Sequence, residues 1–477
     1  MFENIFKTPV ISKYVNKNNK SISIKCFGFG ALGALGFAPF NLYPVFIAVI
    51  AWLFVNISEN RLSLKNSFFF FLVFYIFNLY WLAFPLTINF SRHFVLIPFA
   101  IIFIPGICAM EMQIPIIAIQ HVRNLTAKTI IFSFLFSIVL HIQRLGEFGF
   151  PWVFPAYIWN SHEIFLQTLV IYGVNGLNFV TVFMASLIGA FIVSYNRNAN
   201  NLKYILSAAI FFFSICLFGL IRLANNPTKY TNYHARIVQP NIKNEEKKQR
   251  KNIMNRLQYL SRNLNNIDFL IWPEASIPYL YSERLKGLND LLSESLVPNA
   301  YLIAGAIRED VSNANSIYNS VIVIDYFGHN IYNYNKIHLV PFGEYIPFRY
   351  LIPFESIASD IGDFNIGRKH SSFQLNNLKI ATLICYEAIF ASECAIAAKD
   401  ADLIINLTND GWFGLTSQPY QHLQIVRARA IELGIPLIRT ANVGISAVFD
   451  PLGRMLHHIP IDTTGYIDIA IPKKLNN

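Results

Sequence analysis

The sequence predicts two architectures in one chain: a multi-span α-helical membrane bundle followed by an α/β layered domain. Three observations carry that reading. Hydrophobic residues make up 54% of the 477 residues, with 43 Phe, and charged residues only 14%, against about 25% in an ordinary soluble protein. The mean hydropathy of +0.40 averages two unlike halves, because the long apolar runs stop near Arg222. From about Asn225 onward, short β-branched and aromatic runs alternate with amphipathic stretches and turn signals. The expected division is a bundle of about seven helices over 1–223 and a second domain over 224–477.

A hydrocarbon core about 30 Å thick takes roughly 17 to 25 apolar residues as helix. Runs of that kind lie near 21–37, 43–57, 66–86, 93–121, 127–143, 162–195 and 203–223. The first two are short, and the fourth and sixth are long enough to tilt or protrude. Lys7, Lys13, Lys17, Lys20 and Lys25 precede the first run without a small-residue cleavage site, so a retained anchor rather than a cleaved signal is expected. Those five lysines share one side of the membrane with Arg61, Lys65, Arg123, Lys128, Arg197 and Lys203, whereas the other side's loops hold only Arg92 and Arg144. Basic residues mark the cytoplasmic side. The N-terminus is therefore expected in the cytoplasm, and seven crossings place the second domain outside it, in a periplasm-like space.

The net charge of +10 is explained by these flanking residues, which argues against nucleic acid as a partner. Of the five cysteines, Cys26, Cys108 and Cys216 fall in apolar spans, and no spacing fits a disulfide framework or a zinc site. Glu111 lies inside the fourth span, where a carboxylate either marks function or pairs within the bundle. The aromatic, proline-broken stretch GEFGFPWVFPAYIW (146–159) reads as an interfacial belt or one wall of a lipid entrance.

In the second half, runs at 233–241, 268–274, 301–307, 378–387 and 402–414 suit strands covered on both faces. Helical stretches lie near 245–264, 282–296, 388–398 and 418–433, and 320–338 reads as a hairpin turning at Gly328-His329-Asn330. Function in open α/β sheets gathers beyond strand ends. Glu274, Cys385 and the Asn409-Asp410 pair occupy such ends, and Lys336 closes another strand-like run before a loop holding Glu344. Singly, each has a plain structural explanation: an inert buried thiol, a turn residue, an ion pair. His338, His422 and His457-His458 read as polar packing or surface residues. Together they make a chemical set. A thiolate at Cys385, favoured by a following helix start, is a nucleophile. Glu274 is a proton acceptor for it. Lys336 and the Tyr386 N–H are donors to a developing oxyanion.

The segments WPE (272–274), NKIHLVPFGEYIP (335–347), ICYE (384–387) and NLTNDGWFG (406–414) resemble the Glu-Lys-Cys motifs of the nitrilase, or carbon-nitrogen hydrolase, superfamily. GFPW (149–152), YGVNGLNF (172–179), VQPNI (238–242) and the stretch 418–453 extend the resemblance over both halves to the apolipoprotein N-acyltransferase family. The resemblance implies a nitrilase-like αββα sandwich as the second domain, without a cofactor or metal. It also implies transfer of an sn-1 acyl chain from a phospholipid, preferably phosphatidylethanolamine, through a Cys thioester. The acceptor is the α-amino group of the N-terminal diacylglyceryl-cysteine of an apolipoprotein. Matched position by position, Glu274 is the general base, Lys336 the oxyanion lysine and Cys385 the nucleophile. Glu344, Tyr386 and Glu387 are supporting residues, and Trp412 packs at the lipid site. The setting implied is a bacterial inner membrane with the catalytic domain periplasmic.

Two features depart from the family pattern. A tryptophan expected soon after VQPN is replaced by the charged run KNEEKKQRKN (243–252), which reads as a solvated face or an anionic-headgroup contact. The family's further C-terminal transmembrane helix would follow AIPKKLNN (470–477), where the sequence stops. Two other readings fit parts of the chain: a membrane-tethered C–N hydrolase (amidase or nitrilase), and a non-catalytic membrane scaffold.

Overall fold

The computed structural model describes residues 20–146, 148–199, 201–282, 286–310, 316–350 and 362–475. The chain divides into two compact units, Met1–Asn225 and Asn226–Asn477.

Among the described residues of the first unit, five helices are long and apolar enough to cross a membrane: Leu64–Ile88, Phe94–Gln120, Leu125–Ile142, Leu169–Asn196 and Lys203–Asn225. The chain is therefore a membrane-spanning protein. The first two expected spans form shorter apolar helices. Lys20–Ala34 has 15 residues and Tyr43–Ser58 has 16, lengths of ~22 and ~24 Å at 1.5 Å per residue, below the ~30 Å of the hydrocarbon. Helix starts follow ordinary capping chemistry: the Ser63 and Asn124 side chains accept from Asn66 N and Ala127 N. The Lys128 ammonium donates to the Ser58 carbonyl at 3.0 Å, which satisfies an orphan acceptor at the end of Tyr43–Ser58.

The two long expected spans are both interrupted. Ile97–Glu111 carries Pro105 within it and gives way at Met112 to Gln113–Gln120. The run predicted over 162–195 begins with the short turn Glu163–Leu166, and Leu169–Asn196 kinks at Gly173, whose φ of 59° only glycine adopts freely. Glu111 pairs inside the bundle, accepting from Gln143 Nε2 at 2.8 Å. The stretch 146–159 is exposed at Phe148 but buried from Pro151 to Trp159. Trp152, Phe154 and Trp159 are buried, the Trp159 indole donates to Thr181 Oγ1 at 2.8 Å, and the Ala156 N–H donates to Asn178 Oδ1 at 2.8 Å. Amphipathic rings with a polar partner available inside the bundle bury there rather than at an interface.

The second unit is a four-layer αββα sandwich. Its first sheet runs β12-β1-β2-β3-β4-β5, with β1 Tyr230–Gln239, β2 Phe269–Ile271, β3 Tyr301–Glu309, β4 Ile317–Ile324, β5 Asn330–Asn335 and β12 Gly465–Pro472. Its second runs β11-β10-β9-β8-β7-β6, with β6 Ser372–Leu375, β7 Leu378–Ile384, β8 Leu403–Thr408, β9 Leu437–Ala441, β10 Ser446–Phe449 and β11 Met455–Ile459. The central pairs β1-β2, β2-β3, β7-β8 and β8-β9 are parallel. This explains why their sequences are continuous apolar runs rather than alternating ones. Ile237, Ile271 and Ile303 from the first sheet meet Ile380, Ile405 and Ile438 from the second in one inter-sheet core. The helices Arg250–Leu260 and Lys286–Ser293 cover the outer face of the first sheet, and Ala391–Ala397 and Gln418–Leu433 that of the second.

Candidate active site

Glu274 stands just beyond β2, in a turn made possible by Gly305 on β3. A Cβ at Gly305 would lie 2.5 Å from the Glu274 Cα, so only glycine lets the two backbones approach so closely. Ala275 takes the left-handed conformation, with φ of 46°, a strain that persists where surrounding structure overrides it. The Glu274 carboxylate is buried and accepts from Asn319 Nδ2 at 2.8 Å and from Lys336 Nζ at 3.4 Å. The nearby Cys385 thiol weakly favours its ionised form. Burial, helped by the neighbouring Glu344 charge, holds its pKa above the ordinary carboxylate value despite Lys336.

Lys336 follows β5 directly. Its ammonium, 1% exposed, donates to Glu344 Oε1 at 2.9 Å as well as to Glu274. Burial alone would neutralise it, but the Glu344 and Glu274 carboxylates and Cys385 outweigh burial and keep its pKa raised. It is a fixed cation. Glu344 itself accepts from the Val340 N–H at 2.8 Å and from the same Asn319 Nδ2 at 2.9 Å. One asparagine thus spaces the two carboxylates around one lysine.

Cys385 terminates β7 with φ of 48°, left-handed and costly for a residue with a Cβ, about 1–2 kcal/mol. The chain then makes the single 3₁₀ turn Cys385–Ile389 before Ala391–Ala397. That corrects the expectation of a thiol activated by a helix start. Burial first, and then the Glu274 charge, push the thiol up, with Lys336 opposing. The thiol therefore holds its proton firmly, and Glu274 is the carboxylate whose charge bears on it most. Glu387, in the same turn, is fully buried and ties two strand ends together. Its Oε1 accepts from the Ile337 N–H and the Tyr334 hydroxyl, both at 2.7 Å, and its Oε2 accepts from the Ile384 N–H at 2.7 Å. Cys394, the other cysteine of this unit, is buried among apolar neighbours, and its thiol is pushed up to about 12 by burial.

Asp410, His422 and Cys385 place one ligand-type atom each within 4.8 Å of one another. The Arg439 guanidinium already serves that carboxylate, at 2.5 Å from Asp410 Oδ2, and lies 3.3 Å from His422 Nδ1. A cation in that position makes the trio a hydrogen-bonded network rather than a metal cradle.

The structure therefore gathers Glu274, Lys336, Cys385 and Glu344 into one cluster, with Glu387 bracing it. Tyr386 packs edge-on against Phe390 at 5.2 Å, which leaves its backbone as the part next to Cys385. Trp412 lies in the turn Asp410–Trp412, and its ring is covered by Lys247 Nζ at 3.9 Å. Among the described residues no hydrogen bond or ring contact joins it to Glu274, Lys336 or Cys385. Lys247 comes from the charged run that stands where a tryptophan was expected. Most of that run is solvated, with Lys247, Lys248, Gln249 and Arg250 exposed. Sequence reasoning missed Asn319 and Arg439, and set His422 aside as packing. Their one available signal was a polar residue inside an otherwise apolar strand or helix face.

The carbon-nitrogen hydrolase family matches residues 234–475, and the apolipoprotein N-acyltransferase N-terminal domain matches residues 29–187. A protein named apolipoprotein N-acyltransferase from Rickettsia typhi is 32% identical over 467 residues, 95% of this chain and 92% of that one. Its namesake from Rhodopseudomonas palustris is 30% identical over 474 residues, 93% of this chain and 88% of that one. A carbon-nitrogen hydrolase structure from Helicobacter pylori G27 aligns with 50% of this chain and 88% of its own at 20% identity and a TM-score of 0.38. With both units matched and relatives of this identity over nearly the whole length, the chain belongs to the apolipoprotein N-acyltransferase family.

Proposed function

We propose that this protein moves an acyl chain from the sn-1 position of a phospholipid, with phosphatidylethanolamine the expected donor, to an apolipoprotein. The acceptor is the α-amino group of its N-terminal diacylglyceryl-cysteine. The observation that carries this reading is the buried contact set joining Glu274, Lys336 and Cys385 in a chain that also has membrane-spanning helices. Lipid substrates stay in a bilayer, so a membrane unit fused to an acyl-transfer site suits them. The setting proposed is a bacterial inner membrane, with the N-terminus cytoplasmic and residues 224–477 periplasmic.

In the first half-reaction, Glu274 takes the thiol proton as Cys385 Sγ attacks the ester carbonyl carbon. The carbonyl oxygen becomes an oxyanion facing Lys336 Nζ and the Tyr386 N–H. The C–O bond then breaks, and the departing lysophospholipid alkoxide takes the proton from Glu274. In the second, the acceptor amine attacks the thioester carbonyl and yields a proton to Glu274. The C–S bond breaks, and the proton returns to sulfur. Glu274 alternates between base and acid, a role matched by a pKa held above the usual carboxylate value. Glu344 keeps Lys336 charged and in place, Glu387 fixes the turn, and Trp412 lines the lipid side.

The test is incubation of the purified protein with phosphatidylethanolamine and a diacylated lipopeptide. The expected result is a mass gain of one acyl chain on the peptide amine, with an acyl thioester on Cys385 when the peptide is withheld. Release of ammonia from small amides, with no acyl-enzyme, would instead identify a membrane-tethered C–N hydrolase.

A further inference from the structure

Behind the Cys385 turn, on the helix-facing side of the second sheet, lies a buried polar network that the transfer steps leave unused. Along β8, Leu403, Ile405 and Leu407 point into the inter-sheet core and Ile404 to the helix layer. Strand alternation puts Asn406 on the Ile404 side. Arg439 on β9 shares that side with Leu437. Asn406, Asp410, His422 and Arg439 are each at most 1% exposed. Their order is fixed by donor and acceptor chemistry. Arg439 Nη1 donates to Asn406 Oδ1 at 2.9 Å, Nη2 to Asp410 Oδ2 at 2.5 Å, and Nε to the Ile445 carbonyl at 3.2 Å. With its oxygen turned to the guanidinium, Asn406 has only its NH₂ for the other side. That group donates to the Leu383 carbonyl at 3.3 Å and the Cys385 carbonyl at 3.5 Å. His422 sits 3.0 Å from Asp410 Oδ1 and also faces the Cys385 backbone. Gly444 leaves room for the carboxylate, since a Cβ there would lie 2.6 Å from Asp410 Oδ2.

What this network grips is one half of a rigid plate. The Cys385 carbonyl and the Tyr386 N–H belong to the same planar trans peptide and point in opposite directions. We propose that Arg439 and Asn406, backed by Asp410 and His422, are positioning residues for the oxyanion donor: by holding the Cys385 carbonyl from behind, they aim the Tyr386 N–H at the acyl carbonyl oxygen. The inference rests on the reading of Cys385 as the acyl carrier. It also accounts for how a left-handed, non-glycine nucleophile keeps its conformation. The carbonyl that this conformation turns away from the ladder is captured by the neighbouring strand.

Two rates at the same thiol test it in the full-length detergent-solubilised protein. Acylation from phosphatidylethanolamine passes through an oxyanion. Alkylation by iodoacetamide forms an S–C bond at a saturated carbon and expels iodide, so it needs no oxyanion donor. Asn406→Leu should slow acylation by about 100-fold, as loss of one such donor does, and alter alkylation by less than about 3-fold. The loss should fall on kcat, with KM for the phospholipid unchanged. Arg439→Lys keeps a charge beside Asp410 but loses the fork that orients Asn406, and should slow acylation by about 10-fold with the same normal alkylation. Equal falls in both rates, or unchanged acylation, would overturn the proposal. Wild-type protein that is alkylated at Cys385 but never acylated would overturn the thioester reading, and this inference with it.

Discussion

Each sheet of the catalytic unit contributes one buried ionic cluster, and the two clusters are built for opposite ends. At the edge of the first sheet, two carboxylates, Glu274 and Glu344, share the single cation Lys336. Burial and the second negative charge hold Glu274 above its ordinary pKa, so a proton is never far from being accepted. Behind the second sheet, the single carboxylate Asp410 has a full guanidinium and an imidazole. Burial works to raise the Asp410 pKa, but Arg439 and His422 outweigh it and hold it below the usual range. The same residue types therefore suit a proton relay where carboxylates outnumber cations and a rigid frame where the charges balance.

Mutations can break or sharpen that contrast. The largest expected effect is at Cys385, where both clusters converge. Cys385→Ala should abolish the acyl-enzyme and lower transfer by at least about 10⁴-fold, read by intact mass and lipopeptide acylation; full activity in this variant would eliminate the thioester route. Next, Lys336→Met removes an oxyanion donor and leaves two buried carboxylates uncompensated. Turnover should drop about 10³-fold and stability by about 3–5 kcal/mol, visible as a lower melting temperature in detergent.

The pH profile separates the clusters more finely. Glu274 must be ionised to accept the thiol proton, so activity falls as pH falls through its folded pKa. That pKa lies above the ordinary 4.5, and the acid limb of kcat should therefore stand at higher pH than for an exposed glutamate, with about a tenfold loss per unit below it. Asp410→Asn should lower turnover by about tenfold without moving that limb, because Asp410 titrates below the usual range. A shifted limb in this variant would mean that the second cluster handles protons too.

The smallest effect is expected outside both clusters. Glu393 accepts from His338 at 2.8 Å and lies 3.5 Å from His370. Burial opposes its ionisation, but these contacts outweigh burial and hold its pKa down at about 2. A depressed carboxylate pKa stabilises the fold above the unfolded value of 4.5 and loses that contribution as pH falls towards about 2. Glu393→Gln should cost on the order of 2 kcal/mol at pH 7, with the gap to wild type closing across that window in thermal melts.

Much of this was legible because the chemistry sits where apolar runs end. Glu274 and Cys385 close β2 and β7, and buried parallel strands announce themselves as uninterrupted β-branched runs. What was hidden lies inside elements. Asn319 in β4 and Arg439 in β9 are polar residues that sit beside Ser320 and Thr440 in otherwise apolar strands, and nothing local says which strand end they serve. β6 and the strands beyond residue 433 were not anticipated individually, because short runs such as Ser446–Phe449 look like loop or helix without their partners. The thiol's raised pKa also lay beyond local reading, since it comes from burial and from a carboxylate more than a hundred residues upstream. In the first unit, the ends of the apolar runs were close to right. The burial of Trp152 and Trp159 depended on partners such as Thr181 that periodicity cannot name.

Glu387 has an evolutionary consequence. One carboxylate bolts the strand end that carries Lys336 to the one that carries Cys385, through three bonds of 2.7 Å. The span between cation and sulfur is thereby set inside the sandwich, independently of whatever side chains would line a substrate pocket. Drift in pocket-lining side chains would leave that geometry inherited intact. Substrate range and chemical competence thus become separately heritable traits of one fold.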